Sequence, residues 1–337
     1  MIVQKKDIVH ALEKVKPGLA SKEMIEQSTS FAFMGERIVT YNDEISLSHP
    51  IPNMKITGAI KADEFYKLLS KIKNEEIEME VSKSTISIKA GKFKSEFTMQ
   101  QEIKLPIEEI GEIKKFKKLP DNFIDAIKFT MFSCSSDMSK PILTCIAVHK
   151  EGFTESNDDH RGTKYSMNEE VPFSFLIPAS SAKELVKFKV KSVAKGEGWI
   201  HFKTEEDTIF SCRVLNDAYP DSSKIYKVKD KKNINFPKSI NEMLDRASVF
   251  SKREFYLLEE VQVSLKDNYL KIRSEAMDGT GWSEEKAKVK YTDEPIEFSI
   301  NPNFLFDIIK SVRSCSLGKD RISFKGVQWE HILLLKA

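Results

Sequence analysis

Apolar residues recur at helical spacing in six short stretches of this chain, and alternate with polar residues through much of what lies between. Phe65, Leu68 and Leu69 form such a stripe in KADEFYKLLSKI, which begins at Lys61. Ala182, Leu185 and Val186 do so in PASSAKELVKFK from Pro178, and Leu305, Ile308 and Ile309 in NPNFLFDIIKSV from Asn301. Residues three and four apart share one helix face, so each stretch predicts a helix with one buried side. Asp63, Ser180 and the Asn301–Pro302 pair stand where such helices would begin. Strand-like MKITGAI, FSFLI and IEFSI precede the three helices. Alternating stretches follow them: EIEMEVS, TISIKAG and KSEFTM; WIHFKTE and TIFSCRV; RISFKG and HILLLKA. That alternation predicts half-buried antiparallel strands.

A second helical pattern opens each third of the chain, in DIVHALEKV, NFIDAIKFTMFS and SINEMLDRASVF. A strand pair follows each, broken at a polar turn: TYNDEISL, ESNDDHRG and SEAMDGTG. The chain therefore repeats three times. The reading is an α+β protein of three domains, 1–112, 113–226 and 227–337, each with two helices packed on antiparallel strands.

Composition refines this picture. Hydrophobic residues make up 40% and charged residues 31%, which is globular rather than disordered. With 53 basic and 51 acidic residues the formal net charge is +2, so the chain is no polycation. A nucleic-acid surface would have to come from uneven layout. Basic residues do gather on or beside the helices, at Lys14 and Lys16, Lys67, Lys71 and Lys73, Lys183, Lys187 and Lys189, Lys252 and Arg253, and Lys310 and Arg313. One such helix is an ordinary solvated face; recurrence on several predicts one shared basic surface. The four cysteines, Cys134, Cys145, Cys212 and Cys315, form no CxxC pair, and no histidines stand at zinc-ligand spacing. No structural metal is expected, and the thiols read as reduced, in a cytoplasmic protein. No apolar run approaches 18 residues and no secretory leader pattern opens the chain, so no membrane association is expected.

One stretch offers chemistry. In ESNDDHRGTKY, Glu155 to Tyr165, the carboxylates Asp158 and Asp159 run into His160 and Arg161. A metal-dependent nuclease or phosphoesterase could use such a cluster, with carboxylates on the metal and arginine on the phosphate. Against it, Asp43 and Asp278 occupy the corresponding turns with neither His nor Arg beside them. Aspartate in a turn hydrogen-bonds nearby backbone, and Asp158 reads as a turn former. The sequence shows no nucleophile–base–orienter triad, no glycine-rich phosphate loop and no HExxH. A non-encircling interaction scaffold built from the repeats is a third reading.

Taken together, the triple repeat and several local strings resemble the bacterial β sliding clamp, the processivity subunit of the replicative DNA polymerase. The strings are SSDMSKPILTC (Ser135 to Cys145), SNDDHRGTKYSM, LNDAYPD (Leu215 to Asp221), NPNFLFDII and the C-terminal HILLLKA. The resemblance covers the whole chain, which is shorter than typical bacterial members and so hints at a phage or otherwise divergent one. It implies a non-enzymatic homodimer closed head to tail into a ring, in the bacterial cytoplasm or an infected host cell, with no cofactor. Double-stranded DNA would be encircled without sequence preference, near Lys22, Lys67, Lys71, Lys140, Lys183, Lys187, Lys252, Arg253 and Lys310. The replicative DNA polymerase, the clamp loader and repair or ligase proteins would insert short peptides, often Gln-Leu-x-Leu-Phe-like, into a groove. Carried over residue by residue, that groove would use Leu143, Asp159, His160, Arg161 and Gly162, with Pro220, Lys224 and Ile225 from the linker. Phe255, Asn301, Phe304, Ile332, Leu333, Leu334 and Leu335 would complete it. Four positions depart from the family pattern: Asp159 for glycine, Gly162 for an apolar residue, Lys224 for arginine, and Leu334 near a usual proline. They imply an altered pocket floor.

Overall fold

The computed structural model describes residues 1–51, 54–82, 84–111, 113 and 115–336; Glu112, at the first predicted boundary, lies outside them. Among the described residues six α-helices form where the apolar stripes predict them: α1 (Lys5–Val15), α2 (Ala62–Lys71), α3 (Phe123–Met131), α4 (Ala179–Leu185), α5 (Ile240–Ser248) and α6 (Pro302–Ile309). Each is preceded by one strand and followed by three. The threefold repeat is thus sixfold at a finer grain, with a strand–helix–three-strand unit as the module. In the first module the strand Ile2–Gln4 leads into α1, and Ser30–Gly35, Arg37–Tyr41 and Ile45–Pro50 follow.

The sequence reading found two strands after α4 and after α6, where the structure has three. Val190–Lys195 escapes because a register shift between Val190 and Ser192 interrupts its alternation. Ser314–Leu317 is four residues of SCSL, with too little polar contrast to read. The helix starts also differ from expectation. The chain enters α2 and α4 directly from a strand, so Lys61 and Pro178 take the N-cap positions without a side-chain hydrogen bond. Asp63 lies in the first turn of α2, paired with Lys67 at 2.6 Å, and Ser180 lies within α4. Asn301 does cap α6: its Oδ1 accepts from the Asn303 N–H at 2.9 Å, with Pro302 in the first turn.

The chain divides into two compact units, 1–124 with 170–216, and 125–169 with 217–337. In the first, α1 buries Ile8, Ala11, Leu12 and Val15, and α2 buries Phe65 and Leu69. A long antiparallel sheet crosses the boundary between predicted repeats, because Ile45–Pro50 pairs with Ile209–Arg213, Ile45 opposite Cys212 and Leu47 opposite Phe210. In the second unit, α5 and α6 bury Met243, Leu244, Leu305 and Ile308 in a core shared with Phe324 and Leu333. There Arg161–Ser166 pairs with Trp329–Leu334, Arg161 opposite Leu333 and Thr163 opposite His331. Each joining strand pair belongs to one sheet and hence one core, which is why the two units divide the middle third of the sequence between them. No helix of the described residues is long and apolar enough to cross a membrane.

Candidate functional site

The second unit carries the Asp158 turn, and the backbone explains its composition. Asp158 Oδ1 accepts from the N–H groups of His160 (3.1 Å) and Arg161 (2.9 Å), and its Oδ2 accepts from Arg161 Nε at 2.9 Å. Asp159 follows in the left-handed region, at φ 68°. The turn after Tyr41 has the same plan one residue out of step with the sequence reading. Asn42 Oδ1 accepts from Glu44 (3.2 Å) and Ile45 (2.9 Å), and Asp43 has φ 75°. Asn42 therefore matches Asp158, and Asp43 matches Asp159. In the third turn Asp278 Oδ1 accepts from the Thr280 N–H at 3.1 Å. All three turns use a short side-chain oxygen to satisfy backbone donors. Both oxygens of Asp158 are committed, and among the described residues no three His, Cys, Asp or Glu side chains are grouped to hold a metal.

Arg161 is the centre of the site. Its side chain is 9% exposed, held by Asp158 on one side and by Asp307 Oδ2 at 2.9 Å on the other. Its guanidinium lies 4.2 Å from the ring centroid of Phe304 and 5.6 Å from that of Phe132. His160 is exposed, its ring 6.3 Å from Phe304, and its carbonyl accepts from the Leu334 N–H at 2.8 Å. The tail divides part-way along: Ile332 and Leu333 are buried, while Leu334 and Leu335 are half-buried. Of the four tail residues expected in the groove, Ile332 and Leu333 belong to the core, and Leu334 and Leu335 keep part of their surface exposed. Asn301 does a second job beyond capping, donating from Nδ2 to the Tyr256 carbonyl at 2.8 Å. That fixes the loop on which Phe255 stands 63% exposed.

Gly162 and Ile225 are fitted to each other. A Cβ built on Gly162 would lie 2.6 Å from Ile225 Cδ1, closer than real carbons approach. The Ile225 side chain therefore occupies the space that a side chain at position 162 would fill. Arg321 Nη1 holds that segment, donating to the carbonyls of Ile225 (2.8 Å) and Lys224 (3.3 Å). Lys224 and Pro220 are exposed on the linker; Leu143 is buried, its carbonyl accepting from the Ser135 N–H at 2.8 Å. His160, Arg161, Phe304 and Leu334 are thereby joined through contacts, Asn301 reaches Phe304 through Tyr256, whose ring centroid lies 6.3 Å from that of Phe304, and Gly162 and Ile225 form a second pair.

Residues 227–325 match the family model of the DNA polymerase III beta subunit, C-terminal domain. The beta sliding clamp of Streptococcus pneumoniae is 26% identical over 256 residues, covering 72% of this chain and 65% of that protein. That of Rickettsia felis is 25% identical over 233 residues, covering 62% and 60%. Among solved structures, the DNA polymerase sliding clamp of Pseudomonas aeruginosa superposes with a TM-score of 0.85 at 15% identity, over 100% of this chain and 99% of that one. The clamp of Bartonella birtlesii bound to griselimycin gives 0.87 at 18%, over the same shares. This is the fold of the bacterial β sliding clamps.

Within the sliding-clamp fold the predicted DNA-facing residues can be described unit by unit. Lys22, Lys67, Lys71, Lys183 and Lys187 are exposed in the first unit. Lys67 meets Asp63, and Lys187 meets Glu184, each at 2.6 Å. In the second unit Lys140 meets Asp159 at 2.5 Å and Lys252 meets Glu259 at 3.4 Å. Lys310 lies 4.0 Å over the Phe306 ring, and Arg253, half-buried, donates to the Lys252 carbonyl at 2.9 Å. The Lys67–Asp63 and Lys140–Asp159 pairs are exposed and contribute little to stability, whereas Glu259 is itself buried. The sequence reading missed Asp307, Phe132 and Tyr256. Asp307 did leave a trace, as the charge interrupting the apolar run NFLFDII.

Proposed function

We propose that this chain is a non-enzymatic DNA sliding clamp. Two copies would close head to tail into a ring around duplex DNA and tether the replicative polymerase in the cytoplasm. The observation that carries the reading is the sixfold strand–helix–three-strand module in a clamp fold covering the whole chain. On this reading the domains are 1–112, 113–226 and 227–337, two modules each. Open sheet edges invite pairing, and a head-to-tail contact that closes gives a ring instead of a filament. Holding by topology needs no tight contact, which suits exposed, loosely paired lysines touching phosphates without sequence preference.

The groove for partner peptides would be the Arg161 site, walled by His160, Phe304, Leu334 and Leu335. Leu143, Asp159, Gly162, Pro220, Lys224, Ile225, Phe255 and Asn301 would stand around it, with Ile332 and Leu333 beneath. The clamp loader, and repair or ligase proteins, would use the same groove. Negative-stain electron microscopy of the purified protein tests the ring: six lobes around an open centre support it, and solid particles at high concentration overturn it. Retention on nicked circular plasmid after loading, with loss on linearisation, tests encirclement. Lys140→Ala with Lys187→Ala should weaken DNA contact and flatten its salt dependence; an unchanged salt slope would displace those lysines from the DNA-facing surface.

A further inference from the structure

The four-stranded sheet of the second unit consists of Val261–Lys266, Tyr269–Glu275, Trp282–Lys288 and Ile296–Ile300. Register aligns two rows across it. Gln262 lies between Ser299 and Arg273, and Ser264 between Glu297 and Lys271. The tail runs along the Ile296–Ile300 edge, where Lys336 N–H donates to the Ser299 carbonyl and Leu335 N–H to the Asp320 carbonyl, both at 2.9 Å. These bonds bring Lys336 and Lys319 to the same cleft as Lys271 and Arg273, a hollow of about 400 Å³. Four cations line it against one carboxylate, Glu297.

The surrounding carboxylates are shared thinly. Glu284 serves Lys271 at 3.3 Å, Arg273 at 3.8 Å and Lys286 at 3.9 Å. Glu275 meets Arg273 at 3.2 Å. Glu260 reaches Lys336 at 3.9 Å, and Asp320 is held by Arg321 at 2.6 Å. Lys319 makes no ion pair to a described residue. Burial lowers the pKa of Lys336, a shift that Glu260 opposes and the charge of Arg253 adds to. Its ammonium is short of solvent and gains from a further anion. The cleft shares Leu335 with the proposed groove wall. Leu334 N–H bonds His160, and the next two residues line the cleft.

We infer that this cleft binds the carboxylate of an acidic residue flanking the peptide docked in the groove, so that partners are selected by charge beside the docking motif. The inference rests on the groove proposed above. A peptide seated against Leu334 and Leu335 would carry its flanking residues towards the cleft that Leu335 also lines. The hollow, floored in part by half-buried Phe298 and Leu335, holds one or two side chains and is too small for the backbone of a duplex.

The test uses fluorescein-labelled peptides carrying Gln-Leu-Ser-Leu-Phe, with three glutamates or three glutamines before or after it. Fluorescence anisotropy against the full chain is the readout. One glutamate peptide should bind about tenfold tighter than its glutamine partner at low salt, with the gap closing as salt rises. In Lys271→Ala with Lys319→Ala, the two should bind alike while the glutamine peptide is unaffected. Equal affinities in the native chain would overturn the inference and leave the groove standing, as would a preference surviving in the double variant. Binding of no peptide would remove the groove and this inference with it. Loss of labelled duplex DNA binding in the double variant, with the peptide preference intact, would assign the cleft to phosphate instead.

Discussion

His331 Nδ1 and Thr163 Oγ1 lie 2.7 Å apart across the strand pair that joins Trp329–Leu334 to Arg161–Ser166. In the other unit His49, on Ile45–Pro50, makes a similar contact, Nδ1 to Oγ1 of Thr208, the residue just before the strand Ile209–Arg213, at 2.8 Å. Both histidines are buried, and burial lowers both pKa values, His49 to about 4 and His331 well below its ordinary value. His201, bonded to Ser211 at 2.8 Å, is also lowered by burial to about 4.

These histidines fold neutral and charge more readily when unfolded, so protons favour the unfolded chain below its ordinary histidine pKa of about 6.5. The stability they contribute is whole above that pH. It is lost as pH falls towards about 4, where His49 and His201 protonate in the folded chain. Urea unfolding of the native chain should shift to lower midpoints between pH 7 and 5. A midpoint constant over that window would contradict the assignment.

Arg161→Ala removes the partner of a carboxylate whose side chain is 2% exposed. Breaking a buried pair on one side costs about 3–5 kcal/mol, because the remaining charge is stranded. Two turn hydrogen bonds to Asp158 remain, so a loss near the lower end is expected. Asp158→Asn with Arg161→Ala should recover part of it. Chemical denaturation of the native chain and the two variants measures this, and an Arg161→Ala loss under about 1 kcal/mol would show that the pair does not hold the turn.

Gly162→Ala forces a methyl to within 2.6 Å of Ile225 Cδ1. Overpacking of this kind costs about 1–3 kcal/mol. Ile225→Ala frees the space, so the double variant should be more stable than the two single losses added together. Strict additivity in that cycle would mean the two side chains do not compete for one volume.

Leu333 and Leu334 are neighbours with different duties. Leu333 is 1% exposed in the core, so Leu333→Ala should cost about 2–5 kcal/mol. Leu334 is half-buried beside His160, and Leu334→Ala should leave the unfolding midpoint nearly unchanged while weakening capture of a Gln-Leu-Ser-Leu-Phe peptide. Peptide binding undiminished in Leu334→Ala would take that residue out of the groove wall.

What could be read in advance followed from periodicity. The stripes at Phe65 and Leu69, and at Leu305 and Ile308, lie on buried helix faces because 3.6-residue spacing leaves little choice. The Asp158 turn was legible because it recurs, although matching residue to residue needed the backbone, which pairs Asp158 with Asn42. Asp63 and Ser180 misled because a strand feeding directly into a helix leaves no room for a separate cap. The Arg161–Asp307 pair spans 146 residues, and local pattern carries no information about such a meeting. Nor does it show that Ile225 fills the space above Gly162, since that depends on where a linker is laid.

The joining strand pairs also set an order of events during synthesis. Ile45 must wait for Cys212, and Arg161 for Leu333, before either sheet can be completed. Until residues 209–213 leave the ribosome, the strand Ile45–Pro50 lacks its neighbour, and Arg161–Ser166 lacks its own until residues 329–334 emerge. Pairings this distant in sequence are slow and leave edges open to other chains meanwhile. The nascent protein thus passes through a period in which its own later strands compete with those of neighbouring molecules for the same hydrogen bonds.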